Sequence, residues 1–113
     1  MKWRDLDSGC AGEPSAAVRA RVEAARRIQA ARGGTAFRTN AEIPDEAVDA
    51  LVDATPDARA LLGRAVERLA LSARAARRVL RVARTVADLA SERRTGPDAI
   101  AEALAWREPV PVS

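Results

Sequence analysis

Five arginines, Arg74, Arg77, Arg78, Arg81 and Arg84, recur at helical steps between Ser72 and Ala90. At ~100° per residue they gather on one side of a helix. A guanidinium stays charged at any physiological pH, and its planar fork of N–H donors matches phosphate and carboxylate oxygens. Three uses are open to such a row. It can be a solvated face that covers apolar surface and pairs with acids on neighbouring turns. It can follow the phosphates of a nucleic acid. Or one arginine near the helix N-terminus can reach the polyphosphate of a nucleotide held by another domain.

Other chemistry is thinly supplied. The chain has no histidine, which removes the usual base near neutral pH and the commonest metal ligand. Its single cysteine, Cys10, makes neither a thiolate metal site nor an internal disulfide and reads as an incidental surface thiol. No glycine-rich loop has P-loop spacing. The carboxylate pairs Asp45/Glu46 and Glu67/Asp88 read as acids on solvated helices. No catalytic residue and no metal site are expected, and the chain is not expected to be an enzyme by itself.

The arginines need a helix to hold them. Ala75, Val79, Val82, Ala83, Val86, Leu89 and Ala90 form the opposite, apolar side of the stretch Leu69–Ala90, and Ser72 stands where an N-cap belongs. The expected picture is an amphipathic helix on a small core with an arginine-lined outer face. A first helix is predicted from a Ser15 cap to about Arg32, with Val18, Val22, Ala25 and Ile28/Gln29 as a narrow stripe and Gly33-Gly34 as its stop. Thr35–Ile43 reads as a connector, with Asn40 in a turn and Phe37 as a buried anchor. Pro44 opens a short second helix that turns Val48, Leu51 and Val52 inward. Thr55-Pro56-Asp57 starts a third, running to about Leu69 with Ala58, Leu61, Leu62, Ala65, Val66 and Leu69 facing in. Gly96-Pro97-Asp98 starts the last, through Ile100, Leu104 and Trp106. Strand alternation is absent, so an all-α bundle of about five helices is expected.

The 113 residues suit one domain. Much of the 48% hydrophobic content is alanine, so the core is expected to be thin. Residues 1–14 read as a flexible lead-in and 108–113 as a tail, closed off by Pro109 and Pro111; Trp3 is large for a lead-in and is expected to dock on a surface outside this chain. The net charge of +3 comes from 19 basic against 16 acidic residues, with Lys2 the only lysine. The basicity is therefore a weak pointer to nucleic acid. No apolar run is long enough for a bilayer and no signal-peptide core is present, so no membrane partner and a cytoplasmic location are expected.

The segments SAAVRARVEAARRIQAAR (Ser15–Arg32), Asn40-Ala41, Arg64–Ala90 and AIAEALAWR (Ala99–Arg107) resemble the C-terminal helical domain of magnesium-chelatase-like AAA+ ATPases, in the competence protein ComM or YifB subfamily. The motif S-x-R-x-x-x-R-V-L-R-V-A-R-T-x-A-D-L, Ser72–Leu89, carries most of the likeness, which covers residues 15–107. The resemblance implies a lid domain that follows an ATPase core. In such lids an early arginine of the long helix, called sensor 2, contacts the γ-phosphate side of ATP. Arg74 matches that position, and Arg78 and Arg81 match other basic positions of the helix. ATP and Mg²⁺ are then ligands of the full-length protein rather than of this chain alone. The implied partners are the ATPase core and neighbouring subunits of a hexameric ring, with DNA as the substrate of a motor in recombination or transformation. Chelatase relatives instead drive metal insertion into a porphyrin. Ala76 and Arg77 depart from the aromatic and acid usual in the subfamily. The Walker motifs of the core do not occur in this chain, which is expected to be either an excised domain of such a protein or the product of a fragment gene. An independent helical module that binds DNA or another protein is the alternative.

Overall fold

The computed structural model describes residues 13–106, so Trp3, Cys10 and the tail 108–113 lie outside the described residues. Among the described residues there are five α-helices, α1 (Glu13–Gly33), α2 (Val48–Val52), α3 (Pro56–Leu69), α4 (Ala73–Leu89) and α5 (Pro97–Trp106), with two 3-10 turns at Asn40–Glu42 and Asp45–Ala47. The all-α expectation holds. Among the described residues the sole strand-like feature is an isolated parallel bridge between Ala54 and Thr95. No helix among them is long and apolar enough to cross a membrane.

The start signals act as their chemistry dictates. The Thr55 hydroxyl accepts from the Ala58 amide at 3.2 Å, and the Ser72 hydroxyl accepts from the Ala75 amide at 3.0 Å. Each satisfies a donor that the first turn leaves free. Helix α1, however, begins at Glu13, so Ser15 is not its cap. The fixed φ of Pro14 suits a first helical turn, which lets the helix start earlier.

Helix α4 is the centre of the bundle: α1, α2 and α5 all pack on it, and α5 packs on α3 as well. Ile43, Val48, Val52, Ala58, Ala83, Ala87 and Ile100 are almost wholly buried. The alanines bring backbones close, and the larger aliphatics fill the space between them. Phe37 is buried, as expected. A methyl group at Gly33 would lie 2.6 Å from the Phe37 ring, so the ring rests directly on the helix backbone.

The inward face of α4 differs from the expected one. Val79, Leu80, Ala83, Arg84, Ala87 and Asp88 are buried, whereas Leu89 is 36% exposed and Ala90 is exposed. Val82 and Val86 are half-buried against the core. The buried face is thus rotated by about a quarter turn at 3.6 residues per turn. Its polar members are the reason: Arg84 is 2% exposed and Asp88 2% exposed, contrary to their expected place on the solvated surface. They go inside because they neutralise and hydrogen-bond each other. On α3, Leu69 is 44% exposed rather than part of the core.

Candidate functional site

Two polar constellations sit on α4, one sealed and one open. The sealed one is built around Asp88. Its carboxylate accepts two hydrogen bonds from the Arg32 guanidinium, both at 2.9 Å, one from the Asn40 amide at 2.9 Å, and one from Arg84 Nε at 3.1 Å. Arg84 also donates to the carbonyls of Glu92 at 2.7 Å and Arg93 at 3.0 Å, tying the loop after α4 to the helix. The Asn40 amide nitrogen donates further to the Thr85 hydroxyl at 3.0 Å, and the Asn40 backbone N–H to Gln29 Oε1 at 2.9 Å. Asn40 lies in the 3-10 turn Asn40–Glu42, as expected of a turn residue, but is wholly buried and serves as a node of this cluster. Burial works to raise the Asp88 carboxyl, but the hydrogen bonds from Arg32 and Asn40 and the charges of Arg84 and Arg32 outweigh it and hold it below its ordinary value. Burial pulls Arg84 down from the ordinary arginine range, with Asp88 acting against it. With both arginines engaged and the carboxylate fully ligated, the cluster is structural: it fastens α1 and the α4–α5 loop to the central helix.

The open constellation holds Arg74, Arg78 and Arg81, which line one groove of about 410 Å³ together with Ala41, Val82 and Thr85. Their i, i+4, i+7 spacing places them along one face of α4, about 10 Å from first to last at 1.5 Å per residue. The structure therefore brings the three sequence-predicted arginines together, but in different states. Arg81 is committed: its Nε and Nη2 donate to the Ile43 carbonyl at 2.9 and 2.8 Å, and Nη2 also donates to Asp45. Arg81 foremost, and then the charge of Arg77, hold the exposed Asp45 carboxyl below its ordinary value. Arg77 Nε lies 3.5 Å from the same carboxylate. Arg74 and Arg78 are exposed. No hydrogen bond or ion pair among the described residues engages either guanidinium.

What the groove can hold follows from its donors. Among the described residues it offers two guanidiniums without a partner and no lining carboxylate, so it fits an anion with several oxygens and not a divalent cation. Among the described residues no cluster of His, Cys, Asp and Glu is suited to a metal ion. Sequence reasoning named the open arginines and missed the sealed cluster. The available signal was the i, i+4 spacing of Arg84 and Asp88, a favourable pairing distance on a helix.

Comparison with known proteins adds a family. The model of the family described as magnesium chelatase, subunit ChlI C-terminal, matches residues 12–107. Competence protein ComM of Haemophilus influenzae is 36% identical over 101 residues, covering 89% of this chain and 19% of that protein. Uncharacterised proteins of Mycobacterium bovis and Mycobacterium tuberculosis are 38% identical over 102 residues, covering 89% of this chain and 20% of theirs. This chain thus spans about a fifth of the length of these relatives. No solved structure matches at the same level of significance. The chain belongs to the family of magnesium chelatase subunit ChlI C-terminal domains, on its ComM-like side.

Proposed function

We propose that this domain is the lid of a ComM-like AAA+ ATPase and that Arg74 is its sensor 2 arginine. The observation that supports the reading is the contrast along α4: Arg81 and Arg84 are spent on structural contacts, whereas Arg74 and Arg78 face an open groove with nothing among the described residues to neutralise them. Nucleotide and Mg²⁺ are held by a core that supplies the phosphate loop and the carboxylates this groove lacks. The part played by this chain is charge. Arg74 donates to the terminal phosphate, stabilises the negative charge that develops there, and draws the lid towards the core. Loss of that phosphate releases the contact and lets the lid relax, a motion that can pass to the next subunit of a ring. A hexameric ring moving on DNA during recombination or transformation is the setting that the resemblance to ComM implies. The domain alone binds ATP poorly on this reading, since one or two exposed arginine–phosphate contacts contribute at most a few kcal/mol.

The test is nucleotide preference in a full-length ATPase carrying this domain. Arg74→Ala should weaken ATP relative to ADP, because the lost contact is to the phosphate that ADP does not have. An unchanged ATP-to-ADP preference would remove Arg74 from the site.

A further inference from the structure

The side chains of Arg74 and Arg78 form a ridge with a second groove on its other flank. This groove has a volume of about 470 Å³ and lies between the α3–α4 turn and the C-terminal end of α5. Its walls are largely aliphatic, with Leu71, Val79 and Val82 among them. Leu69, 44% exposed, stands on one rim and Trp106, 73% exposed, on the other. In a chain with two tryptophans and one phenylalanine, leaving an indole uncovered forgoes one of the largest burial terms available. Exposed apolar surface of this kind, concave and rimmed by charge, marks a docking site. Among the described residues the charge has one sign: Arg74 and Arg78 line the groove, and no acid does.

We propose that this groove receives an amphipathic acidic helix from another polypeptide segment. Side chains of leucine or phenylalanine size enter between Leu69 and Trp106, as in helix-in-groove recognition. Arg74 and Arg78 stand one turn apart on α4, so carboxylates at i and i+4 of the incoming helix meet both. A second copy of this chain does not fit. The other uncovered stripe, with Val18 and Ile28 on α1, is flanked by Arg19, Arg21, Arg26 and Arg27, which would face Arg74 and Arg78 with like charge. A nucleic acid is the poorer partner as well, because Trp106 is the single aromatic platform in an aliphatic wall and successive bases need several. The proposal shares Arg74 with the ATPase reading but does not rest on it: Arg78 and the aliphatic walls carry the docking, so the Arg78→Glu comparison can fail or succeed whatever Arg74 does for nucleotide.

Trp106 reports on the groove directly. In the chain with Trp3→Phe, it is the only tryptophan, and its emission can be followed while three synthetic helical peptides are added. One carries leucines on one face flanked by glutamates, one has every glutamate replaced by lysine, and one has every leucine replaced by alanine. The acidic leucine peptide should shift Trp106 emission to the blue and bind at least about tenfold more tightly than either control. Arg78→Glu, at an exposed position, should invert the preference towards the lysine peptide while leaving the far-UV circular dichroism unchanged. Equal affinity for the acidic and basic peptides, or no shift with any of them, would overturn the proposal. So would tighter binding of an oligothymidylate than of the acidic peptide, or a self-associated chain whose Trp106 is already blue-shifted.

Discussion

Arg32 on α1 and Asp88 on α4, 56 positions apart in the chain, meet in a two-pronged ion pair with both N–H···O distances at 2.9 Å. The pair fixes the end of a long helix that is exposed on most sides before Ala25. It also shares its carboxylate with Arg84, so one acid neutralises the contacts of two cations. Removing Asp88 leaves both guanidiniums short of a counter-charge, one of them fully buried. Asp88→Ala should therefore destabilise the domain by about 3–5 kcal/mol, a large part of the total for a small domain. Chemical denaturation of the variant beside the parent chain measures this. Loss of less than about 1 kcal/mol would mean the cluster is dispensable.

The same carboxylate gives the domain an acid limit. Its folded-state value lies below the ordinary 3.8, so the folded form binds its proton less readily than the unfolded chain does. The stabilisation is complete above the unfolded value and drains away as pH falls through the folded one. The unfolding midpoint should stay flat from neutral pH to about 5 and drop below about 4. Asp88→Asn should flatten that acid limb. Asp45 acts with the same sign, but its exposure makes its share small.

Gly33 has no room for a side chain. With a methyl group 2.6 Å from the Phe37 ring, Gly33→Ala must push the ring off the helix and cost about 1–3 kcal/mol. At Gly34 nothing lies within 4 Å, but φ is +58°, so Gly34→Ala should cost about 1 kcal/mol through backbone conformation alone. Restoring stability to Gly33→Ala with a smaller residue at position 37 would separate the two causes.

Ala70 closes α3 in the left-handed region at φ 53°, its N–H donating to the Val66 carbonyl. Glycine is the residue such a C-terminal cap favours. Ala70→Gly should raise stability by roughly 0.5–1 kcal/mol, measurable as a rise in the thermal midpoint.

The helices were legible in the sequence because their boundaries are chemical. The Thr55 and Ser72 hydroxyls, the prolines after Thr55 and Gly96, and the Gly33-Gly34 stop each act locally, and local signals survive in a linear reading. The buried face of α4 departs from the sequence pattern where local logic fails. Arg84 and Asp88 look solvated by type, and their burial depends on Arg32 and Asn40, which come from distant segments. Asn40 was likewise a turn residue by type and a buried node by tertiary contact. The spacing of Arg74, Arg78 and Arg81 places them along one helix face, and they line one groove. Their division into one committed and two uncommitted cations was invisible, since it rests on the position of the Ile43 carbonyl and of Asp45.

The most direct measurement is steady-state ATP turnover by a full-length ATPase carrying this domain, with and without Arg74→Ala. The thermal midpoint of the isolated domain is followed in parallel. Because Arg74 is exposed and makes no hydrogen bond or ion pair among the described residues, the midpoint should not move, whereas turnover should fall by about tenfold or more, the loss of a charge-stabilising contact. Leu80→Ala, which opens the core, should do the reverse and lower the midpoint first. Unchanged turnover in Arg74→Ala, with the domain folded, would contradict the sensor 2 assignment and return this arginine to the solvated surface.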